Sequence, residues 1–189
     1  MIKLSPASWL AVGLVALLQT AALATMVSGR VALLASGREI VTEVIPVDPR
    51  DLFRGDYVVL GYTFGRADVP VSDGLRRGDR VYVTLRETAP ATWEVAKASA
   101  AYEEPTDAAD VVLKGIVDRV YDPPGDAPPK ASISYGIENY YVPEGTGREL
   151  ERMVRDKKIS AVLAVGPSGD VAVKALMADG QRIAEDSSL

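Results

Sequence analysis

The sequence predicts a mainly β protein, with an N-terminal transmembrane helix followed by an antiparallel β barrel- or sandwich-like domain that contains one short helix. Three observations lead to this prediction. A long apolar segment without charge separates Lys3 from Arg30. Short segments with alternating apolar side chains follow, and Gly and Pro turn signals separate them. Only one later stretch, residues 145–157, has apolar residues at helical spacing.

Length and composition narrow the classes of function. The 189 residues suit one ordinary domain with an appendage, and the net charge of −5 lacks the basic footprint that nucleic acid requires, so no nucleic-acid partner is expected. The chain has no Cys and no His. This excludes disulfides, thiolate catalysis and Ser-His pairs, and it makes a transition-metal enzyme improbable. A hard cation held by carboxylates stays open, and no cofactor is expected.

Residues 1–36 are predicted to form a transmembrane anchor, because about 20 apolar residues span the hydrocarbon layer. The alternative is a cleaved signal peptide, for which 22–24 has the small-x-small form of a cleavage site. We favour an uncleaved helix, since the apolar pattern continues past that site through 31–35. Both interpretations carry the rest of the chain across the cytoplasmic membrane and predict a periplasmic domain.

The predicted β domain covers residues 38–180. Gly37 ends the helical pattern. Strands are expected over 38–45, 57–64, 79–86, 92–98, 111–121, 131–137, 159–165 and 170–177. Gly115 interrupts the fifth of these and indicates either a bulge or a close backbone approach. The last two strands are expected to form a hairpin across 166–169.

The single predicted helix of this domain runs over 145–157. Leu150, Met153 and Val154 lie at helical spacing, and Thr146 with Glu149 has the pattern of a capping box. Residues 181–189 are expected to form a flexible tail.

Two motifs resemble those of a known family. Residues 55–62 read Gly-Asp-Tyr-Val-Val-Leu-Gly-Tyr and match letter for letter the pattern that names the GDYXXLXY family of bacterial membrane-anchored proteins. A second match covers 140–147. The resemblance implies an N-terminal anchor, an extracytoplasmic domain and a polytopic membrane protein as partner. It implies no reaction, and no catalytic residue transfers.

The candidate binding residues cluster around these motifs. They are Asp48, Arg50, Arg54, Asp56, Tyr57, Tyr62, Tyr141 and Glu144.

Each candidate also has a structural interpretation. The aspartates fit turn positions, and the arginines fit either an anion clamp or ion pairs within the fold. Tyr57 and Tyr62 fall on opposite strand faces, so one of them is expected in the core with a bonded hydroxyl. Tyr141 and Glu144 suit either an aromatic groove for sugars or peptides, or a loop that pins the helix to the sheet.

Two functions follow. The first is a non-enzymatic accessory or scaffold protein whose β domain binds a membrane-protein partner or an envelope component. The alternative is a carboxylate-dependent hydrolase of cell-wall glycans that uses Glu144 with Asp48 or Asp56, which requires two carboxyl groups roughly 5–10 Å apart. Whether the two motifs meet in space is the most useful observation for judging the candidate site.

Overall fold

The computed structural model describes residues 6–45, 57–66, 69–71, 74–124, 128–141, 150, 152–154, 156 and 159–185. The helices whose bounds lie within the described residues are α1 (Pro6–Ser36) and α2 (Thr63–Arg66). The strands are β1 (Arg38–Glu43), β2 (Tyr57–Val59), β3 (Val69–Pro70), β4 (Arg80–Ala89), β5 (Thr92–Ser99), β6 (Val111–Tyr121), β7 (Lys130–Ser134), β8 (Asn139–Tyr141), β9 (Ile159–Val165), β10 (Val171–Ala178) and β11 (Gln181–Glu185).

Helix α1 is one continuous apolar helix of 31 residues, about 46 Å long at 1.5 Å per residue. This exceeds the roughly 30 Å of a hydrocarbon layer. Within the described residues it is the one helix long and apolar enough to cross a membrane, and none of its most apolar stretch is buried. The prediction that the helix continues past 22–24 and ends before Gly37 is confirmed.

The strands form a nearly closed, barrel-like antiparallel arrangement, which confirms the predicted fold class. One sheet has the order β1-β9-β10-β11, a second has the order β3-β7-β6-β4-β5, and β2 pairs with β8 as a ribbon. Backbone bonds join the two larger sheets at two places. Glu43 N–H donates to the carbonyl of Ala91, and Lys114 N–H donates to the carbonyl of Gly169.

Alternating side chains from these strands fill one core. Val81, Val83 and Leu85 of β4 are fully buried, as their alternation predicts. Gly115 in β6 is a close approach rather than a bulge, since a Cβ there would lie 2.4 Å from Ile133 Cγ2. The bulge of this strand lies further along, between Val117 and Arg119.

Strands β3 and β8 were not predicted, and the strand expected over 131–137 ends at Ser134. Two further elements differ from the prediction. The strand expected over 57–64 stops at Val59 and is followed by α2. Beyond Val59, Gly61 makes only a single bridge, to Ile45. The chain then turns into a helix, in which Gly65 N–H donates to the carbonyl of Tyr62. The expected flexible tail is wrong over Gln181–Glu185, which form β11 against β10.

The turn before β11 explains that second difference. Asp179 and Gly180 both have positive φ, at 49° and 79°, as a two-residue type I′ hairpin requires. Asp-Gly between alternating residues is a strong hairpin signal, and it turns the chain back onto β10.

The predicted helix over 145–157 lies partly outside the described residues. Leu150 and residues 152–154 are helical. Leu150 and Val154 are buried in the core, as their spacing predicts.

Candidate functional site

The two sequence motifs meet as neighbouring strands. Strand β2 from the first motif pairs with β8, which leads into the second motif, and the register joins Tyr57 to Tyr141, Val58 to Tyr140 and Val59 to Asn139. Leu60 N–H extends the contact by donating to the carbonyl of Glu138 at 2.7 Å. The two segments are therefore one structural unit, although about 80 residues separate them in the chain.

One side of this ribbon belongs to the core. Val58 and Tyr140 are buried, as expected for directly opposite residues whose side chains share one face. Leu60 continues the buried row. Part of the family-like pattern thus encodes packing.

Tyr62 is also a core residue, and the structure does not place it on a binding surface. Its side chain is 2% exposed, and its hydroxyl donates to the carbonyl of Ile137 at 3.0 Å. The ring stacks on Phe64, whose carbonyl accepts a bond from the hydroxyl of Tyr135. Burial, with Glu138 nearby, raises the pKa of Tyr62 and of Tyr135 well above the ordinary value, so both hydroxyls stay protonated donors. The expectation that one motif tyrosine is a bonded core residue is confirmed.

The other side of the ribbon faces solvent at β8. Tyr141 is 76% exposed, and Asn139 is exposed as well. We call Asn139 and Tyr141 the paired-strand surface. It presents a large aromatic ring next to an amide, a combination suited to protein or carbohydrate contact.

The other predicted site residues cannot be placed on this surface. For Tyr57, the structure describes the backbone pairing with Tyr141 and not the side chain. Asp48, Arg50, Arg54, Asp56 and Glu144 lie outside the described residues. The acids that a glycan hydrolase would use are all among them.

A second region, which the sequence analysis did not single out, joins α1 to the β domain. Leu34 in the last turn of α1 is fully buried against Ala164 and Ala172. A Cβ on Gly37 would lie 2.5 Å from the carbonyl oxygen of Leu33 and 3.1 Å from Ala164 Cβ, so only glycine fits there. We call Leu33, Leu34, Gly37 and the β9–β10 turn (166–169) the junction.

Arg38 continues the junction from the first residue of β1. Its guanidinium donates to three successive carbonyls, those of Ala108 at 2.6 Å, Ala109 at 2.7 Å and Asp110 at 3.0 Å. The Asp110 carboxylate is 3% exposed and accepts two bonds from Arg86, at 3.0 and 2.7 Å. The hydrogen bonds from Arg86 hold the pKa of Asp110 below its ordinary value of 3.8, against the opposing effect of desolvation.

Further ion pairs surround this region. Glu39 binds Lys174 at 2.8 Å and Arg182 at 3.1 Å, which ties β1 to β10 and β11. Lys114 of β6 pairs with Asp170 beside the β9–β10 turn. These cations hold the pKa of Glu39 and of Asp170 below the ordinary values, chiefly through hydrogen bonds from Lys174 and Lys114. The helix end is thus fixed by packing and backbone fit, and the ion pairs hold together the strands that follow it.

Comparison with known proteins identifies the family. A family model described as GDYXXLXY protein matches residues 19–176. The chain belongs to the GDYXXLXY family. The match to the GDYXXLXY model begins within α1 and ends in β10, so it includes the junction as well as the β2–β8 ribbon. Searches of the curated proteins and of the solved structures found no match.

The roles of Arg38, Arg86 and Asp110 were not predicted, because the partners of these residues are distant in the chain. Arg38 and Asp110 are 72 residues apart, and no local pattern reports such a contact. The sequence has a local signal only for the turn before Asp110, where Asp107 is a typical turn residue. Its side chain accepts a hydrogen bond from Ala109 N–H.

Proposed function

We propose that this protein is a membrane-anchored, non-enzymatic accessory or scaffold protein whose β domain binds a polytopic membrane protein outside the cytoplasm. The observation that carries the proposal is the junction. Leu34 and Gly37 fix the β domain directly on the end of an apolar helix, and α1 shows no free linker between its last turn and β1. A β domain that is packed rigidly on the helix end keeps its binding surface at a fixed distance from the membrane, as a scaffold protein requires.

The helix itself supports a membrane partner or lipid environment. Its large apolar side chains, including Leu10, Leu14 and Leu17, are more than half exposed in the structure. Exposed apolar area of this extent is stabilised by hydrocarbon or by another helix rather than by water. Arg30 lies near the end of α1 that meets the β domain, where a charge is compatible with the membrane surface.

The paired-strand surface is the proposed contact of the β domain with its partner. Exposed tyrosines are enriched at protein interfaces, because the ring supplies area and the hydroxyl supplies a hydrogen bond. Tyr141 combines this chemistry with a fixed backbone, since its strand is paired to β2. The hydrolase alternative has no specific observation in its favour.

Photo-crosslinking in the native membrane tests the proposal. A photoreactive amino acid at Tyr141 is expected to capture one defined membrane protein, and one at Leu14 to capture either the same protein or lipid. Tyr102, another exposed tyrosine, is the matched control and should give no such adduct. If neither Tyr141 nor Leu14 gives a protein adduct, and the gently solubilised chain purifies alone, the accessory role is wrong.

Orientation is tested separately, and the absence of Cys makes the test clean. We expect a Thr106→Cys variant to react with a membrane-impermeant maleimide in spheroplasts, since Thr106 is exposed on the β domain. A Lys3→Cys variant should react only after the membrane is permeabilised. The opposite pattern would place the domain in the cytoplasm.

A further inference from the structure

A basic cleft lies on the five-stranded sheet, away from both regions described above. It has a volume of about 820 Å³ and is lined by the β3–β4 loop, by the end of β6 and by Ser132 of β7. Among the described residues, the lining includes three arginines, Arg76, Arg77 and Arg119, and one acid, Asp118. This local excess of positive charge contrasts with the net charge of −5 for the whole chain.

A β-bulge builds one wall of the cleft. Val117 pairs with Ile133 and Arg119 pairs with Ser132, so Asp118 is the extra residue. In a regular strand, neighbouring side chains point to opposite faces. The bulge lets Asp118 and Arg119 line the same cleft, and bulges re-aim side chains in this way next to functional sites.

The loop that carries the other two arginines is fixed to the same strand. Gly78 N–H donates to the carbonyl of Val117 at 2.8 Å, and Val117 N–H donates to the carbonyl of Asp79 at 2.9 Å. The Asp79 carboxylate accepts a bond from Arg76 N–H at 2.7 Å. The backbone that carries Arg76 and Arg77 is therefore held beside Arg119 before any ligand arrives.

Tyr121, at the end of β6, has a hydroxyl without a partner. Its hydroxyl oxygen is buried, and it is the one buried side-chain polar atom without a hydrogen-bond partner in the described part of the chain. Tyr121 also lines the cleft. A buried hydroxyl without a partner is costly, and a bound ligand that accepts its hydrogen bond removes that cost.

We propose that this cleft binds a small phosphorylated polyol or sugar. Forked guanidinium groups match phosphate oxygens, and a phosphate monoester has enough oxygens to accept bonds from several arginines and a tyrosine. The Asp118 carboxylate already accepts a bond from the Ser134 hydroxyl at Oδ2. It would repel a bare anion, but its Oδ1 would accept a hydrogen bond from a ligand hydroxyl beside the phosphate. Glycerol phosphate has both groups, either as a free molecule or as the headgroup of an anionic lipid. The site is independent of the proposed partner contact at Tyr141.

Titration calorimetry on the full chain tests this site and separates the two sources. In nonionic detergent, glycerol phosphate is expected to bind saturably and more tightly than inorganic phosphate. In nanodiscs, phosphatidylglycerol added to phosphatidylcholine is expected to compete with glycerol phosphate only if the lipid headgroup reaches the cleft. Binding of glycerol phosphate without competition assigns the free molecule, and competition assigns the lipid.

Three variants and one control make the result specific. Arg119→Gln should weaken glycerol phosphate binding about tenfold, the effect of losing one charge-assisted hydrogen bond. Tyr121→Phe should weaken binding without lowering the unfolding midpoint, because it removes an unsatisfied group. Asp118→Asn should tighten inorganic phosphate and erase the preference for glycerol phosphate. Lys97→Gln, which removes an exposed charge on β5, should change nothing. Absence of saturable binding in both arms, or binding that Arg119→Gln leaves unchanged, overturns the proposal.

Discussion

The junction and the paired-strand surface are built from different interactions. At the junction, Leu34 is fully buried, Gly37 has no room for a Cβ, and Arg38 holds three carbonyls of a distant loop. At the paired-strand surface, three register pairs hold a short ribbon, and Tyr141 faces solvent. The contrast indicates that the residues that orient the β domain on the helix lie outside the two short sequence motifs. The motif residues instead divide between the core and an exposed face.

The largest expected effect is at the junction, for Leu34→Ala. Removing a fully buried leucine should lower the free energy of unfolding by about 2–5 kcal/mol. Leu17→Ala is the matched control, because Leu17 lies on the same helix and is 66% exposed. Denaturant unfolding of the full chain in detergent measures both, with buried Trp93 as the fluorescent reporter in a Trp9→Phe background. Equal effects of the two variants would show that α1 is not docked.

Gly37→Ala tests the backbone fit at the same place. The added methyl group would meet the carbonyl oxygen of Leu33 and should destabilise the protein by about 1–3 kcal/mol, as overpacking does. Gly13→Ala is the control, since a Cβ built there meets no atom within 4 Å apart from the adjacent backbone of its own helix. A Gly37→Ala variant as stable as Gly13→Ala would contradict the close approach.

On the buried side of the motif, Tyr62→Phe keeps the packed ring and removes only its hydroxyl, so it measures the contribution of the hydrogen bond to stability. Loss of the hydroxyl leaves the buried carbonyl of Ile137 without this donor and should cost about 1 kcal/mol. Partner binding should be unchanged, because Tyr62 is not exposed. If crosslinking at Tyr141 is lost in a Tyr62→Phe variant that remains folded, the division between core and surface is wrong.

Acid is expected to loosen the junction through Asp110. Its folded-state pKa lies below the ordinary 3.8, so the stability that it contributes is present above pH 3.8 and is lost as the pH falls through the lowered value. An Asp110→Asn variant should be less stable at neutral pH and should show a shallower loss in acid. Glu103→Gln, in a surface pair with Lys97, serves as the control. Parallel pH profiles for the Asp110→Asn variant and the wild type would contradict a role for this ion pair.

The smallest expected effect on stability is at the paired-strand surface. Tyr141→Ala should change the free energy of unfolding by less than about 0.5 kcal/mol, as exposed substitutions usually do. It should nevertheless abolish co-purification of the membrane partner. A folded Tyr141→Ala protein that retains its partner would move the proposed contact elsewhere.

Sequence patterns predicted the elements better than their partners. The apolar run, the alternation in β4 and the turn at 166–169 are local, so α1, β4 and the β9–β10 hairpin followed from them. The pairing of β2 with β8 and the contact of Arg38 with Asp110 join residues more than 70 positions apart. Nothing local specifies those contacts, because they arise when several strands close around one core.

Other differences have local causes that were overlooked or overridden. Asp179-Gly180 is a hairpin signal, and reading it would have predicted β11. Phe64 lies in the alternating pattern of the expected strand, but it is part of a helical turn, where its buried ring packs between Tyr62 and Tyr135. The bulge at Asp118, which shapes the basic cleft, occurs three residues after the glycine that marked this strand as irregular.

A distance measurement between α1 and the β domain tests the central claim most directly. Spin labels on Val27→Cys and Thr106→Cys, both exposed positions in a chain without native Cys, report how firmly the domain is held. Pulsed electron resonance on the full chain in nanodiscs should give one narrow distance distribution, which Leu34→Ala broadens and Leu17→Ala does not. A broad distribution in the otherwise wild-type chain would show that the domain is loosely tethered, and the proposed scaffold role would lose its structural basis.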